Sequence, residues 1–288
     1  MSEKLKKLAE LATTLPEAYK DNATALVERM GEVISGLSDT DIVWKPSTLT
    51  LVQAISDYSK LPKGVTRGSL VLGESILDTP IKVIPLMTYT TRQKWSEDLD
   101  NNRPTCSSPD GDKGFRYGDC RACPHSKFDE EAKKSACNKT ITVLTITEDL
   151  SQVFLINFSK TNYSSGMDWL SLMKKAGVHP YKRVYDLSSG TSSKTKNVEV
   201  IKVEPTTPDN KVGAEVLPFI EELFTQCRTD RKEVLVKFHE YLNSKKDASV
   251  LMLDVADSSQ GEEGVTLIAA VDDISDVVPK GKATQYKL

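Results

Sequence analysis

The sequence holds little with which to carry out covalent chemistry. Its 288 residues include three histidines and five cysteines. No GxxxxGKS/T phosphate loop, no HExxH pair and no GxSxG nucleophile elbow occurs in it. Asp and Glu are plentiful, but no grouping has a spacing that selects a two-metal nuclease site over a solvated face. His179 and His239 have no evident partners along the chain. A protein that is not an enzyme is therefore expected. No run approaches the ~18 apolar residues of a membrane span. The opening Met1-Ser-Glu-Lys-Leu-Lys-Lys lacks the continuous apolar core of a secretory signal. These absences predict a cytoplasmic protein, in the host cell's cytoplasm if viral, with no membrane partner. Internal repeats are absent too.

What is present is a globular composition, with 39% hydrophobic and 27% charged residues. The length allows one large domain or two ordinary ones of ~100–200 residues. A net charge of −3 excludes a uniformly cationic coat but hides an asymmetry. From Lys160 to Lys202 there are eight basic residues against three acidic ones. From Asp247 to Val277 there are eight acidic residues and no Lys or Arg. A basic stretch followed by an acidic one fits a polyanion binder whose acidic segment competes with the ligand or recruits partners; unrelated solvated surfaces are the alternative.

Residues 2–36 are helix-like, with Leu5, Leu8 and Leu11 at threes and Ala23, Leu26, Val27, Met30, Val33 and Ile34 at threes and fours. Pro16 suits the first turn of a second helix. Strands are expected at Thr48–Val52, Ser69–Leu72, Ile81–Met87, Ile141–Ile146, Val153–Phe158, Val184–Leu187 and Val198–Val203. A short helix, Met167–Lys175, should close at Gly177. Short strands at turn-rich intervals point to a small barrel or sandwich. Residues 214–244 carry a long apolar helical stripe, expected to split at Thr229-Asp230, an N-cap pair. Val250–Val255 and Val265–Val271 are either late strands or an unordered tail.

Four cysteines stand in the frame Cys106-x13-Cys120-x2-Cys123-x13-Cys137. A Cys-x2-Cys pair puts two thiolates on one turn, and the symmetric outer cysteines complete a tetrahedron for Zn2+. With no position left for water, such a site is structural. Gly111, Gly114, Gly118, Pro109 and Pro124 make the segment turn-rich and poor in large aliphatics, so a metal would supply its stability. Four thiolates around a divalent ion carry about −2 in charge, which Lys113, Arg116 or Arg121 could offset. The alternatives are free thiols or a redox pair, although a redox pair would leave the outer cysteines unexplained. His125 is read as a neighbour of the site and Cys227 as a buried core thiol.

A binder of single strands needs cations for phosphates and aromatic faces for bases. The chain interleaves them at Tyr89, Arg92, Lys94 and Trp95, at Phe115, Arg116 and Tyr117, at Lys160 and Tyr163, and at Tyr181, Arg183 and Tyr185. Each aromatic has an ordinary structural alternative, and Trp169, Phe154 and Phe158 are expected inside. The run Cys106-Ser-Ser-Pro-Asp-Gly-Asp-Lys-Gly, then Gly118-Asp-Cys120-Arg-Ala-Cys123-Pro and Cys137-Asn-Lys, followed by Trp169-Leu and Gly177-Val-His-Pro-Tyr181, resembles single-stranded-DNA-binding proteins of bacteriophages and mobile elements. In these an OB-like barrel carries an inserted zinc loop. The resemblance covers residues 40–205. It implies that Cys106, Cys120, Cys123 and Cys137 bind Zn2+ and that Arg92, Lys94 and Trp95 face DNA. In many such proteins an acidic recruiting tail ends the chain, whereas here Lys280, Lys282 and Lys287 follow the acidic stretch.

The expected class is thus α+β. A helical segment (1–38) precedes an OB-like single-stranded-DNA-binding domain (39–206) with a zinc loop at 104–139. A helical region (207–246) and an acidic segment (247–288), whose order the sequence leaves open, complete the chain. The expected role is in DNA replication, recombination or repair. The rival is a zinc-containing adaptor that recruits a polymerase, with replication or transcription proteins as partners of the acidic segment.

Overall fold

Apolar residues in consecutive positions, as in Ile141–Ile146 and Val153–Phe158, suit strands with both faces covered, because alternate side chains point to opposite sides. A computed structural model describes residues 3–31, 46–95, 104–131, 135–193, 195, 197–207 and 209–252. The helices are α1 (Glu3–Thr14), α2 (Glu17–Gly31), α3 (Tyr163–Lys175) and α4 (Leu217–Met252). The strands are β1 (Ser47–Leu51), β2 (Leu70–Leu72), β3 (Ser75–Leu77), β4 (Ile81–Trp95), β5 (Pro104–Ser108), β6 (Lys113–Gly114), β7 (Gly118–Asp119), β8 (Cys137–Thr147), β9 (Val153–Ser159), β10 (Tyr185–Thr191) and β11 (Glu199–Pro205). The chain is α+β and divides into two units. No helix among the described residues is long and apolar enough to cross a membrane.

The first unit comprises residues 1–33, 44–90 and 140–229. Its sheet is curled, in the order β11-β10-β4-β8-β9-β1-β2-β3. β8 and β9 form an antiparallel hairpin from Thr140↔Ser159 to Ile146↔Val153, and β1 joins β9 in parallel at Ser47↔Phe154. On one side Val83, Ile141, Val143, Phe154, Ile156 and Phe158 pack with Trp169 and Met173 of α3. On the other, Ile84, Leu86, Leu144, Ile146 and Val153 pack with Leu5, Leu8 and Ala12 of α1, Leu26 of α2, and Phe219 and Ile220 of α4. Each large apolar side chain buried this way contributes about 1.5–3 kcal/mol.

Two local devices fix this unit. Gly166 lets α3 lie against β9, since a Cβ there would fall 2.6 Å from the Phe158 Cβ. Gly177, at φ +65°, ends α3 in the left-handed conformation that glycine adopts without penalty. The edge strand β11 is tied to the segment after β1 by a side chain. Gln53, just after β1, donates from Nε2 to the Glu199 carbonyl (2.9 Å) and accepts the Glu199 N–H on Oε1 (3.0 Å). The buried Glu199 carboxylate in turn pairs with Arg67 Nε at 2.7 Å.

The second unit comprises 34–43, 91–139 and 230–288, of which 91–95, 104–131, 135–139 and 230–252 are described. β5 pairs with the end of β4, and β6 and β7 form a small hairpin. Phe238 of α4 is buried against Phe115, Tyr241 and Leu242.

Several sequence expectations change. β4 runs on to Trp95, well past Met87, because β5 offers its end a partner. α4 is unbroken through Thr229-Asp230: the Thr229 hydroxyl donates back to the Thr225 carbonyl (2.9 Å), a bond within the helix that leaves no cap. Helix also continues to Met252, through the first half of Val250–Val255, which the sequence left open between a late strand and an unordered tail. Pro16 sits just ahead of α2, its carbonyl accepting from Tyr19 and Lys20. Residues 253–288, with Val265–Val271 and most of the acidic segment, lie outside the described residues, as do 32–45.

Candidate functional site

Residue patterning in the second unit brings the four cysteines to one place. Cys106 lies on β5 opposite Lys94 of β4. Across the β6–β7 hairpin Gly114 pairs with Gly118, and residues 115–117 form a three-residue loop closed by Gly118 at φ +70°. Cys120 N–H donates to the Asp112 carbonyl (2.8 Å) and Cys123 N–H to the Asp119 carbonyl (3.0 Å), so the Cys-x2-Cys pair caps the hairpin as a single turn. The Asp119 carboxylate opens that turn by accepting Arg121 N–H at 2.8 Å. Cys137 begins β8.

All four thiols are buried and line one cavity of about 10 Å³, room for one water-sized sphere. Arg92, Lys94, Ser108, Tyr117 and His125 also face it. Gly114 forms a cradle: a Cβ there would lie 3.0 Å from Cys106 Sγ and 3.5 Å from Cys120 Sγ. Burial pushes the Cys137 thiol up to about 11; Arg92 pulls it the other way and the three neighbouring cysteines add to the rise. Burial also raises Cys120, against a hydrogen bond from Ser108 and the charge of Arg92. Among the described residues no three His, Cys, Asp or Glu side chains stand in a preformed metal-holding group. A space of this size fits one ion, and a set of four sulfur donors is the chemistry of thiophilic cations.

Beside this cavity the aromatic and cationic residues read from sequence come together in part. Lys94 Nζ lies 5.5 Å and the Arg116 guanidinium carbon 5.8 Å from the centre of the Tyr117 ring, which also meets His125 at 4.7 Å. Tyr117 is 37% exposed and Trp95 42% exposed. Phe115 turns away to stack on Tyr241 at 6.3 Å. In the first unit Lys160 is exposed, whereas Tyr89 and Tyr163 are half-buried.

Three expected contacts are otherwise engaged. Tyr185 is buried, edge-on to Trp169 at 5.7 Å, so its ring offers no face to a base. Tyr181 is buried between His179 (5.1 Å) and Phe224 (4.9 Å). Arg183 donates to the Asp209 carbonyl and to Asn210 Oδ1, tying down its own loop. Trp169, Phe154 and Phe158 are buried as expected, and Cys227 is a core residue of the first unit.

Sequence reasoning left His239 without a partner; its Nε2 lies 3.1 Å from Asp110 Oδ2. The other oxygen of Asp110 accepts from Ser108 Oγ (3.0 Å), Asp112 N–H (2.8 Å) and Lys113 N–H (2.9 Å), and Arg231 donates to the Pro109 carbonyl. The Pro109-Asp-Gly-Asp112 turn signature was the available hint for Asp110. His179 likewise has a neighbour, Tyr181. Comparison of the chain with protein-family models, with curated proteins and with solved structures finds no match.

Proposed function

We propose that this protein binds single-stranded DNA, largely without regard to sequence, in phage-type replication, recombination or repair. The observation that carries the reading is the Tyr117 ring, exposed on a hairpin tip with Lys94 and Arg116 against it, and the exposed Trp95 that follows Lys94 in the chain. A part-exposed ring beside two cations suits a stacked base with its phosphate, worth roughly 1–3 kcal/mol per base. The curled, mixed sheet capped by α3 is compatible with an OB-like barrel, which supports the same reading.

Zn2+ is proposed as a structural ion held by Cys106, Cys120, Cys123 and Cys137. The shared cavity and the Gly114 cradle support this, and the thiols would turn into the cavity and lose their protons on binding. When bound, the ion would supply the folding energy that this aliphatic-poor loop lacks.

The test is a titration with oligo(dT) and with duplex DNA over a range of salt. Single strands should be preferred, with log K falling linearly against log salt as counterions are released. Weak, salt-insensitive binding alongside a tight complex with a polymerase would favour the adaptor.

A further inference from the structure

We propose that Arg92 is the charge-compensating partner of the four-cysteine cluster and is not a phosphate contact. The inference rests on the zinc reading above and deepens it.

The backbone register sets the geometry. Residues directly opposite in an antiparallel pair project to the same side, as do residues two apart in a strand. Arg92 is opposite Ser108 and Lys94 opposite Cys106, so all four share one face of the β4–β5 ribbon, the face on which the cysteine cavity lies. Arg92 Nε is buried and has no hydrogen-bond partner among the described residues. A buried guanidinium donor left unsatisfied is costly, and sulfur bearing negative charge is the acceptor its surroundings can provide.

The charge of the loaded site points the same way. Four thiolates and one divalent cation sum to about −2, which a buried site must neutralise with charge placed close by. The cations that sequence alone offered for this are engaged elsewhere or exposed. Arg121 pairs with Asp112 at 3.3 Å, with both side chains mostly exposed. Lys113 is exposed, and Arg116 leans on Tyr117. Two cations line the cavity, Arg92 and Lys94, and the Lys94 ammonium sits over the Tyr117 ring. Arg92 is left for the sulfurs. Its guanidinium carries a permanent positive charge, which is the property the loaded site requires.

The experiment uses the full chain as wild type, Arg92→Gln and Arg92→Lys. Zn2+ affinity is read by competition with a chromogenic chelator, the ligand set by the thiolate-to-metal absorption of the Co2+ form, and DNA contact by the salt dependence of oligo(dT) binding at saturating Zn2+. Arg92→Gln should lose about 10–100-fold in Zn2+ affinity, as expected for an outer partner of a metal site. Its Co2+ spectrum and its salt slope should match the wild type. Arg92→Lys should retain most of the Zn2+ affinity. Unchanged Zn2+ affinity in Arg92→Gln, with a salt slope reduced by about one, would make Arg92 a phosphate contact and overturn the proposal. Equal losses in both variants would overturn it too, since shape and not charge would then matter; this comparison holds even if the Gln variant folds poorly, because Arg92→Lys alone must stay near the wild type. A wild type that takes up neither Zn2+ nor Co2+ would sink the zinc reading itself, whereas a loaded wild type with an indifferent Arg92→Gln sinks only the role of Arg92.

Discussion

Tyr117 and Tyr185 show how differently one residue type serves this chain. The first presents a part-exposed ring to two cations, and the second lies buried against Trp169. Trp95→Ala is therefore expected to weaken oligo(dT) binding by about 1–3 kcal/mol if one base stacks on it, whereas Tyr185→Phe should leave that affinity unchanged; parallel titrations of the two variants check this. Asp110 makes a second prediction. Burial opposes its ionisation, but the N–H groups of Lys113 and Asp112, the Ser108 hydroxyl and His239 together outweigh it and hold the carboxyl below its ordinary 3.8. A depressed folded-state pKa means that the ionised group stabilises the loop at pH above 3.8 and that this contribution disappears as pH falls through the lower value. Thermal melts of the wild type should lose stability across that acid range more steeply than melts of Asp110→Asn.

Elements were legible wherever local pattern alone decides them. The apolar runs of β8 and β9 and the glycine stop of α3 could be read directly. What a strand's neighbours decide could not. Tyr181-Lys-Arg-Val-Tyr185 reads as an alternating surface of rings and cations, yet Tyr181 sits in a short 3-10 turn and Tyr185 opens β10, and the two rings are buried in separate cores, one with Phe219 and Ile220 and the other with Trp169. The same ambiguity hid the direction of Arg92, whose face follows from pairing with β5. The cysteine frame was readable because its signal is the spacing itself; the Asp110–His239 pair was invisible because only folding brings its members together. Gln53 belongs with the invisible contacts, since a side chain there completes what a backbone ladder would otherwise do. Gln53→Ala strands a buried N–H and carbonyl of Glu199 and should cost about 1–3 kcal/mol in urea denaturation, with Zn2+ and DNA binding unaffected.

For the molecule as a whole, stability in the two units has different sources, burial in one and proposed metal ligation in the other. Chelation, or Cys120→Ser, should abolish bound zinc and collapse amide protection over 104–131, because structural zinc is worth roughly 10–16 kcal/mol of apparent binding energy in peptide systems. The β8–β9 amides, held by apolar packing on both sides of the sheet, should exchange as slowly as before; hydrogen exchange reads both at once. That double covering also constrains how the protein can change over generations. Since neither broad side of those central strands is available to a ligand, their residues can drift only within the demands of packing. Selection for a different nucleic acid, or for tighter grip, has to work through hairpin tips and strand ends, where a new side chain meets solvent first.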